Sequence, residues 1–264
     1  MVTNPTELIT SDKNTTVKLV KALLTQSRQR NKHGQTVIEG IHLIDAALRS
    51  DYPFAQMLLA ESAHNHPEVQ QVLSRLPTYT PIMTLSDSLY ESIRSLGTGI
   101  DIMAVIKVPM PGLSMINEDC LILNDVQDSG NVGTLLRTAA AVGINSILCT
   151  SATAQAWSPK TLRAGMGAQF ALTIYEGLST QDILDYVQVP LLATSSHTDT
   201  LIYDHNLTTP TAWIMGHEGQ GVSDELMQCA TPIALPQPNG QESLNVAIAG
   251  SLCLYETLRQ RNYA

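Results

Sequence analysis

The chain has 264 residues, 44% of them hydrophobic and 15% charged, and a formal net charge of −9. This length suffices for two ordinary domains, and the composition excludes a disordered or low-complexity chain. No apolar run approaches the roughly 18 residues of a membrane span, and the N-terminus lacks the basic start and apolar run of a signal peptide, so a cytoplasmic protein is expected.

In chain order, residues 14–34 alternate apolar and basic positions at helical spacing (Val17, Val20, Leu23, Leu24) and lead into a strand at 36–40. A helix over 41–50, a strand over 54–60, helices over 67–76 and 85–96, and a strand over 100–108 complete a small α/β unit. Residues 109–118 are rich in Pro and Gly without periodicity and read as a linker between domains 1–108 and 119–264. Beyond the linker, strands at 120–126, 146–151, 171–176, 190–196, 211–218 and 232–236 alternate with helices at 133–143, 158–170, 180–188 and 223–230, and a long helix over 243–261 ends the chain. Near-continuous apolar strands separated by helices imply a parallel sheet covered on both faces. Ligands of such sheets bind at the carboxyl ends of the strands.

The net charge speaks against a nucleic-acid partner until its distribution is considered. Residues 1–50 hold seven Lys or Arg against four acids, +3, which leaves −12 on the rest. A basic arm on an acidic body suits an RNA contact through one end, although charge alone favours a solvated helix face. The four cysteines (120, 149, 229, 253) and seven histidines show no metal-ligand spacing, so free thiols and no metal are expected.

Neither a G-x-G-x-x-G nor a G-x-x-x-x-G-K-[ST] pattern occurs. Instead three loops that follow apolar strands are loaded with small and polar residues: DSGNVG at 128–133, GHEGQG at 216–221 and PQPNGQESLN at 236–245. Glycines let a backbone approach a ligand closely. Converging at one sheet edge, such loops could wrap an adenine and a ribose, and the absence of lysine from all three argues against a bound phosphate.

These loops resemble the three motifs of the SpoU (TrmH-type) RNA ribose methyltransferases of the SPOUT superfamily. NVGTLLRTAAAVG is similar to the first motif, with Asn131 and Arg137; IMGHEGQGVSDEL to the second, with Glu218; and LPQPNGQESLNVAIAGSLCLYE to the third, with Ser243 and Asn245. Gln237 departs from the family pattern, which has Met there. SPKTLRAGMGAQF matches a further family stretch, and the basic N-terminal block through TVIEGIHLIDAAL resembles the RNA substrate-binding domain of many members.

The resemblance implies a SPOUT-type α/β domain with a deep trefoil knot, preceded by a small α/β, ribosomal-protein-like domain. It implies S-adenosylmethionine held near Ser195, Gly216, Gly221, Leu235 and Leu244, and a homodimer with sites at its interface. Catalytic roles would fall to Asn131, Arg137, Glu218, Ser243 and Asn245. Arginine is a poor general base, so Arg137 is better suited to binding a phosphate and stabilising a developing alkoxide. Asn131 could also cap its helix, and Ser243 reads equally as a helix cap. Lys18, Arg28, Arg30, Lys160 and Arg163 are expected on RNA phosphates, against the plainer reading of solvated helix faces. The expected activity is 2′-O methylation of ribosomal RNA in preference to tRNA; the alternatives are a tRNA ribose methyltransferase, a silent knotted RNA-binding protein, or a protein for another adenosine-like ligand.

Overall fold

A computed structural model describes residues 8–97, 99–239 and 243–262. The chain separates into two compact units. The first contains residues up to 109 and, from further along the chain, 157–170; the second contains 110–156 and 171 onward.

The first unit begins with α1 (Thr15–Thr25), whose N-terminal N–H groups at Thr16 and Val17 donate to the Asn14 side chain. The helix expected to run unbroken to residue 34 is interrupted at Gln26, which is extended, before α2 (Ser27–His33) stops at left-handed Gly34. Then come β1 (Gln35–Glu39), α3 (Ile41–Arg49), β2 (Phe54–Ala60), α4 (Pro67–Arg75), β3 (Ile82–Leu85), α5 (Asp87–Ile93) and β4 (Ile102–Lys107). The strands form a sheet of order β1-β4-β2-β3, antiparallel except for the parallel β2/β3 pair. Strand β3 has no counterpart in the sequence reading: four residues behind a proline carry too little pattern.

The second unit opens with β5 (Cys120–Leu123), α6 (Ser129–Val142) and β6 (Ser146–Thr150). The segment 157–170, which carries α7 (Pro159–Ala164), groups instead with the first unit. There the Thr36 hydroxyl donates to the Trp157 carbonyl at 2.7 Å, and Trp157 and Phe170 pack with Tyr52. The helix expected across 158–170 ends at Gly165, since Met166 and Gly167 both take positive φ.

The second unit continues with β7 (Thr173–Leu178), α8 (Thr180–Tyr186), β8 (Leu191–Thr194), β9 (Ala212–Met215), α9 (Asp224–Cys229), β10 (Thr231–Ile233) and α10 (Val246–Asn262). Its sheet runs β10-β8-β9-β5-β6-β7, every pairing parallel, as the apolar strand runs required. Cys120, Ile122, Leu148, Ala193 and Ile214 fill its core. Helix α10 is locked in place by the indole N–H of fully buried Trp213, which donates to Thr257 Oγ1 at 2.9 Å. Helices α6 and α10 approach so closely at Gly250 that a Cβ there would lie 2.4 Å from Leu135 Cδ2. All four cysteines are free; burial pushes the Cys120 and Cys253 thiols up to about 12, so neither is reactive at neutral pH. No described helix is long and apolar enough to cross a membrane.

Candidate active site

The loop after β5 is built first by its own hydroxyls. Asp125 takes a left-handed backbone (φ 60°), held by its N–H to Thr150 Oγ1 at 2.8 Å and to Thr153 Oγ1 at 3.1 Å. Asn124, buried at the strand end, accepts from the Ser223 N–H at 2.7 Å and ties this loop to the start of α9. Asp128 then caps α6, accepting from Gly130 N and Asn131 N at 2.8 and 2.9 Å. Asn131 had been a candidate for that cap; with Asp128 in place, it lies inside the first turn and its side chain is available for another partner.

That partner comes from the loop after β9. His217 and Gly221 exchange both backbone hydrogen bonds, at 2.9 and 2.8 Å, while His217 Nδ1 accepts from the N–H groups of Gly219 and Gln220. The turn is so tight that a Cβ on Gly216 would sit 2.2 Å from Gly221 and Val222 backbone atoms, and Gly221 itself is left-handed (φ 75°). Glu218 lies within this turn. Its carboxylate accepts from Gln127 N (3.1 Å), Asp128 N (3.0 Å) and Asn131 Nδ2 (3.0 Å). Burial pushes the Glu218 carboxyl up, but the donors from Asn131, Asp128 and Gln127 outweigh it and hold the pKa down at about 2.

The third loop closes the chain of contacts. Asn131 Oδ1 accepts from Asn245 Nδ2 at 3.0 Å, and Asn245 Oδ1 accepts from Ala247 N and Ile248 N. Asn245 is therefore the cap of α10, which begins at Val246 and not at Ser243. Ser243 is exposed outside the helix, and loop residues 240–242 lie outside the described residues. Arg137 is exposed on α6, about two turns further in than Asn131, and makes no ion pair or hydrogen bond among the described residues. The pairing with Asp125 or Asp128 that a mere surface arginine could make is not formed.

Three of the residues expected at the cofactor share one sheet edge. Ser195 follows β8, Gly216 follows β9 and Leu235 lies just beyond β10, and these strands are neighbours in the order β10-β8-β9. Ser195 N donates to the Ile233 carbonyl at 3.0 Å, joining two of these strand ends. Leu244 precedes α10 and is exposed. Two polar side-chain atoms near this edge are buried without a partner among the described residues: Ser223 Oγ and Gln237 Oε1.

The expected RNA contacts, all in the first unit, divide. Lys18, Arg28 and Lys160 are exposed. Arg30 instead donates to the Leu23 carbonyl at 2.9 Å, tying α2 back onto α1. Arg163 pairs with the buried carboxylate of Glu39 at 3.3 Å and donates to Ser95 Oγ at 2.8 Å. Both guanidiniums are engaged within the first unit, unlike the exposed Lys18, Arg28 and Lys160. The residues that sequence reasoning missed are Asp125, Gln127 and Asp128, which shape the loop or present its N–H groups to Glu218. An Asp one residue before a Ser-Gly-Asn helix start was a legible capping signal.

With this geometry in hand, the relatives agree. The chain matches the SpoU rRNA Methylase family over residues 119–255 and the MRM3-like substrate binding domain over residues 14–104. It belongs to the SpoU rRNA methylase family. It is 32% identical to the 23S rRNA (guanosine(2553)-2′-O)-methyltransferase RlmP of Bacillus subtilis, over 94% of this chain and 97% of that one. It is also 32% identical to an uncharacterized tRNA/rRNA methyltransferase of Synechocystis, over 96% and 94% of the two chains. An AdoMet-bound rRNA methyltransferase from Sinorhizobium meliloti superposes with a TM-score of 0.84 at 26% identity, covering 96% of this chain and 98% of that one.

Proposed function

We propose that this protein transfers a methyl group from S-adenosylmethionine to a ribose 2′-hydroxyl of ribosomal RNA. The observation that carries the reading is the side-chain chain Glu218–Asn131–Asn245, which draws all three motifs of a SpoU methylase into one hydrogen-bonded unit and leaves Arg137, on the same helix as Asn131, without a partner among the described residues. A silent RNA-binding relic would have no need to keep that arrangement.

The residues at the β8, β9 and β10 ends suit the donor. Glycine at 216 and 221 leaves those two positions without a side chain, and Gln237 Oε1, buried without a partner among the described residues, can accept from an amine or a ribose hydroxyl. Ser195, Gly216, Gly221, Leu235 and Leu244 would hold it, and when bound it supplies an electrophilic sulfonium methyl. The chain's own residues do the rest. Arg137 binds the phosphate beside the target ribose and stabilises negative charge growing on its 2′-oxygen as the oxygen–methyl bond forms, the hydroxyl proton passes to water and the demethylated donor would leave as a neutral thioether. Glu218, anionic far below neutral pH, fixes the Asn131 amide, which fixes Asn245 and the start of α10. Ser243 is near enough in sequence to contact the substrate but holds no position in this unit.

The same proposal includes the trefoil knot of the family, cytoplasmic residence and a two-fold dimer. Ile248, Leu252 and Tyr255 form an exposed apolar stripe on α10, spaced to lie on one face, which a monomer would leave in water. Lys18, Arg28 and Lys160 supply phosphate contacts. The test is S-adenosylmethionine-dependent methyl incorporation into ribosomal RNA, with the product mapped as a 2′-O-methyl ribose; base methylation or no incorporation overturns the proposal.

A further inference from the structure

The first unit contains a cleft of about 390 Å³ that no residue of the three loop motifs lines, within the ~300–1,000 Å³ typical of small-molecule sites. One rim is the start of α3. Its first residue follows Gly40, which has no side chain to cap the helix, and the N–H groups of Ile41, His42 and Leu43 have no acceptor among the described residues. A bare helix start is common. Here it coincides with Tyr90, which is 2% exposed and lines the cleft, yet its hydroxyl makes no hydrogen bond among the described residues. Burial, with the nearby Glu39 and Asp101 charges adding to it, pushes the Tyr90 pKa up, so the group stays a neutral donor.

The lining also fixes what charge is tolerated. Arg94 is paired with Asp101 at 2.8 Å and Arg163 with Glu39 at 3.3 Å, and Glu68 adds a further carboxylate. Two cations against three acids leave no surplus positive charge for a phosphate. The walls are apolar: Leu96, Ile100 and Ile102, with Met166. Met166 is exposed and held at φ 51°, a strained backbone for a residue with a side chain, and its thioether is a good surface for an aromatic face.

We infer that this cleft takes one unstacked keto base of the RNA, uracil or guanine, with its ring carbonyl on the free N–H groups of α3 and the Tyr90 hydroxyl. Its imino N–H meets the Asp101 or Glu39 carboxylate, and its faces lie against Leu96 and Met166. Adenine has no carbonyl to offer and is discriminated against, because the donors that a bound base covers would lose water and be left unpaired. The inference rests on the proposal that the substrate is RNA and gives the first unit a base-reading role beyond charge attraction.

The test is amide NMR of the full chain titrated with uridine, inosine (which carries guanine's keto and imino edge), adenosine and inorganic phosphate. Uridine and inosine should shift the Ile41, His42 and Leu43 amides in a saturable way, adenosine should bind at least about fivefold more weakly, and phosphate should leave those amides unmoved. Tyr90→Phe should weaken uridine binding by about 2- to 10-fold, the range of one neutral hydrogen bond, and Leu96→Trp, which fills the cleft, should abolish it. Equal binding of adenosine, a response to phosphate, or an unchanged Tyr90→Phe variant overturns the inference. Methyl transfer to ribosomal RNA assayed on the same protein separates the two proposals. Transfer without any nucleoside response overturns the base site alone; nucleoside binding without transfer overturns the catalytic reading and leaves the cleft assignment standing.

Discussion

The side-chain amide of Asn131 donates to the Glu218 carboxylate across 3.0 Å, between residues 87 positions apart. The same Asn131 accepts from Asn245, so a single amide group joins the loops after β5 and β9 to the N-terminus of α10. These bonds hold three loops in register, and Arg137 on the same helix as Asn131 has no ion pair or hydrogen bond among the described residues.

Arg137→Ala should leave S-adenosylmethionine affinity unchanged and lower the methylation rate by about 10²–10³-fold, the usual cost of removing a group that stabilises a developing oxyanion. Calorimetry with the donor and single-turnover methylation with ribosomal RNA read the two effects separately. Wild-type turnover in the variant would remove Arg137 from the chemistry.

Glu218→Gln should slow methylation by about 10- to 100-fold, since a charge-assisted hydrogen bond contributes ~1.5–3 kcal/mol and one amide oxygen cannot serve three donors. The pH dependence follows from the lowered pKa. A carboxyl at about 2 in the folded protein, against ~4.3 unfolded, stabilises the loops fully above the unfolded value. That contribution is lost as pH falls from there through the folded value. A carbon-detected titration of Glu218 should show no protonation at pH 4; a midpoint near 4 would mean that the three donors do not hold it.

Gly250→Ala should destabilise the second unit by about 1–3 kcal/mol through overpacking, because the new methyl would meet Leu135 at 2.4 Å and Met215 at 3.0 Å. Chemical denaturation measures this directly. An unchanged midpoint would show that α6 and α10 have room to separate.

Light scattering at low micromolar concentration should give about twice the 28.6 kDa chain mass, and Ile248→Glu with Leu252→Glu should halve it. A wild-type monomer with full activity would dispose of the dimer and of any site shared across it.

RNA affinity should fall steeply with salt, and Lys18→Gln, Arg28→Gln and Lys160→Gln should each reduce the salt slope by about 1. Arg30→Gln and Arg163→Gln should cost stability instead. Point substitutions are the right tool here: cutting the chain near residue 115 would strand segment 157–170, which belongs to the first unit.

The alternation of strands and helices, the parallel sheet and the three polar loops were legible in the residues, and the resemblance to a family pointed to Asn131, Glu218 and Asn245 among them. These are legible because hydrophobic period, glycine loops and motif order are local properties of the chain. Other features depend on which distant groups meet, and these follow from the packed fold alone. Helical spacing runs straight through Gln26, yet the helix breaks there, where the Arg30 guanidinium reaches back to the Leu23 carbonyl. Asn131 and Asp128 are both good caps on paper; the choice of Asp128 leaves the Asn131 amide for a glutamate and an asparagine far along the chain. Arg163 has the look of a solvated or RNA-facing cation, but a buried carboxylate at Glu39 demands a partner, and the fold supplies that one. A charge in sequence has no fixed role until burial settles what it must neutralise.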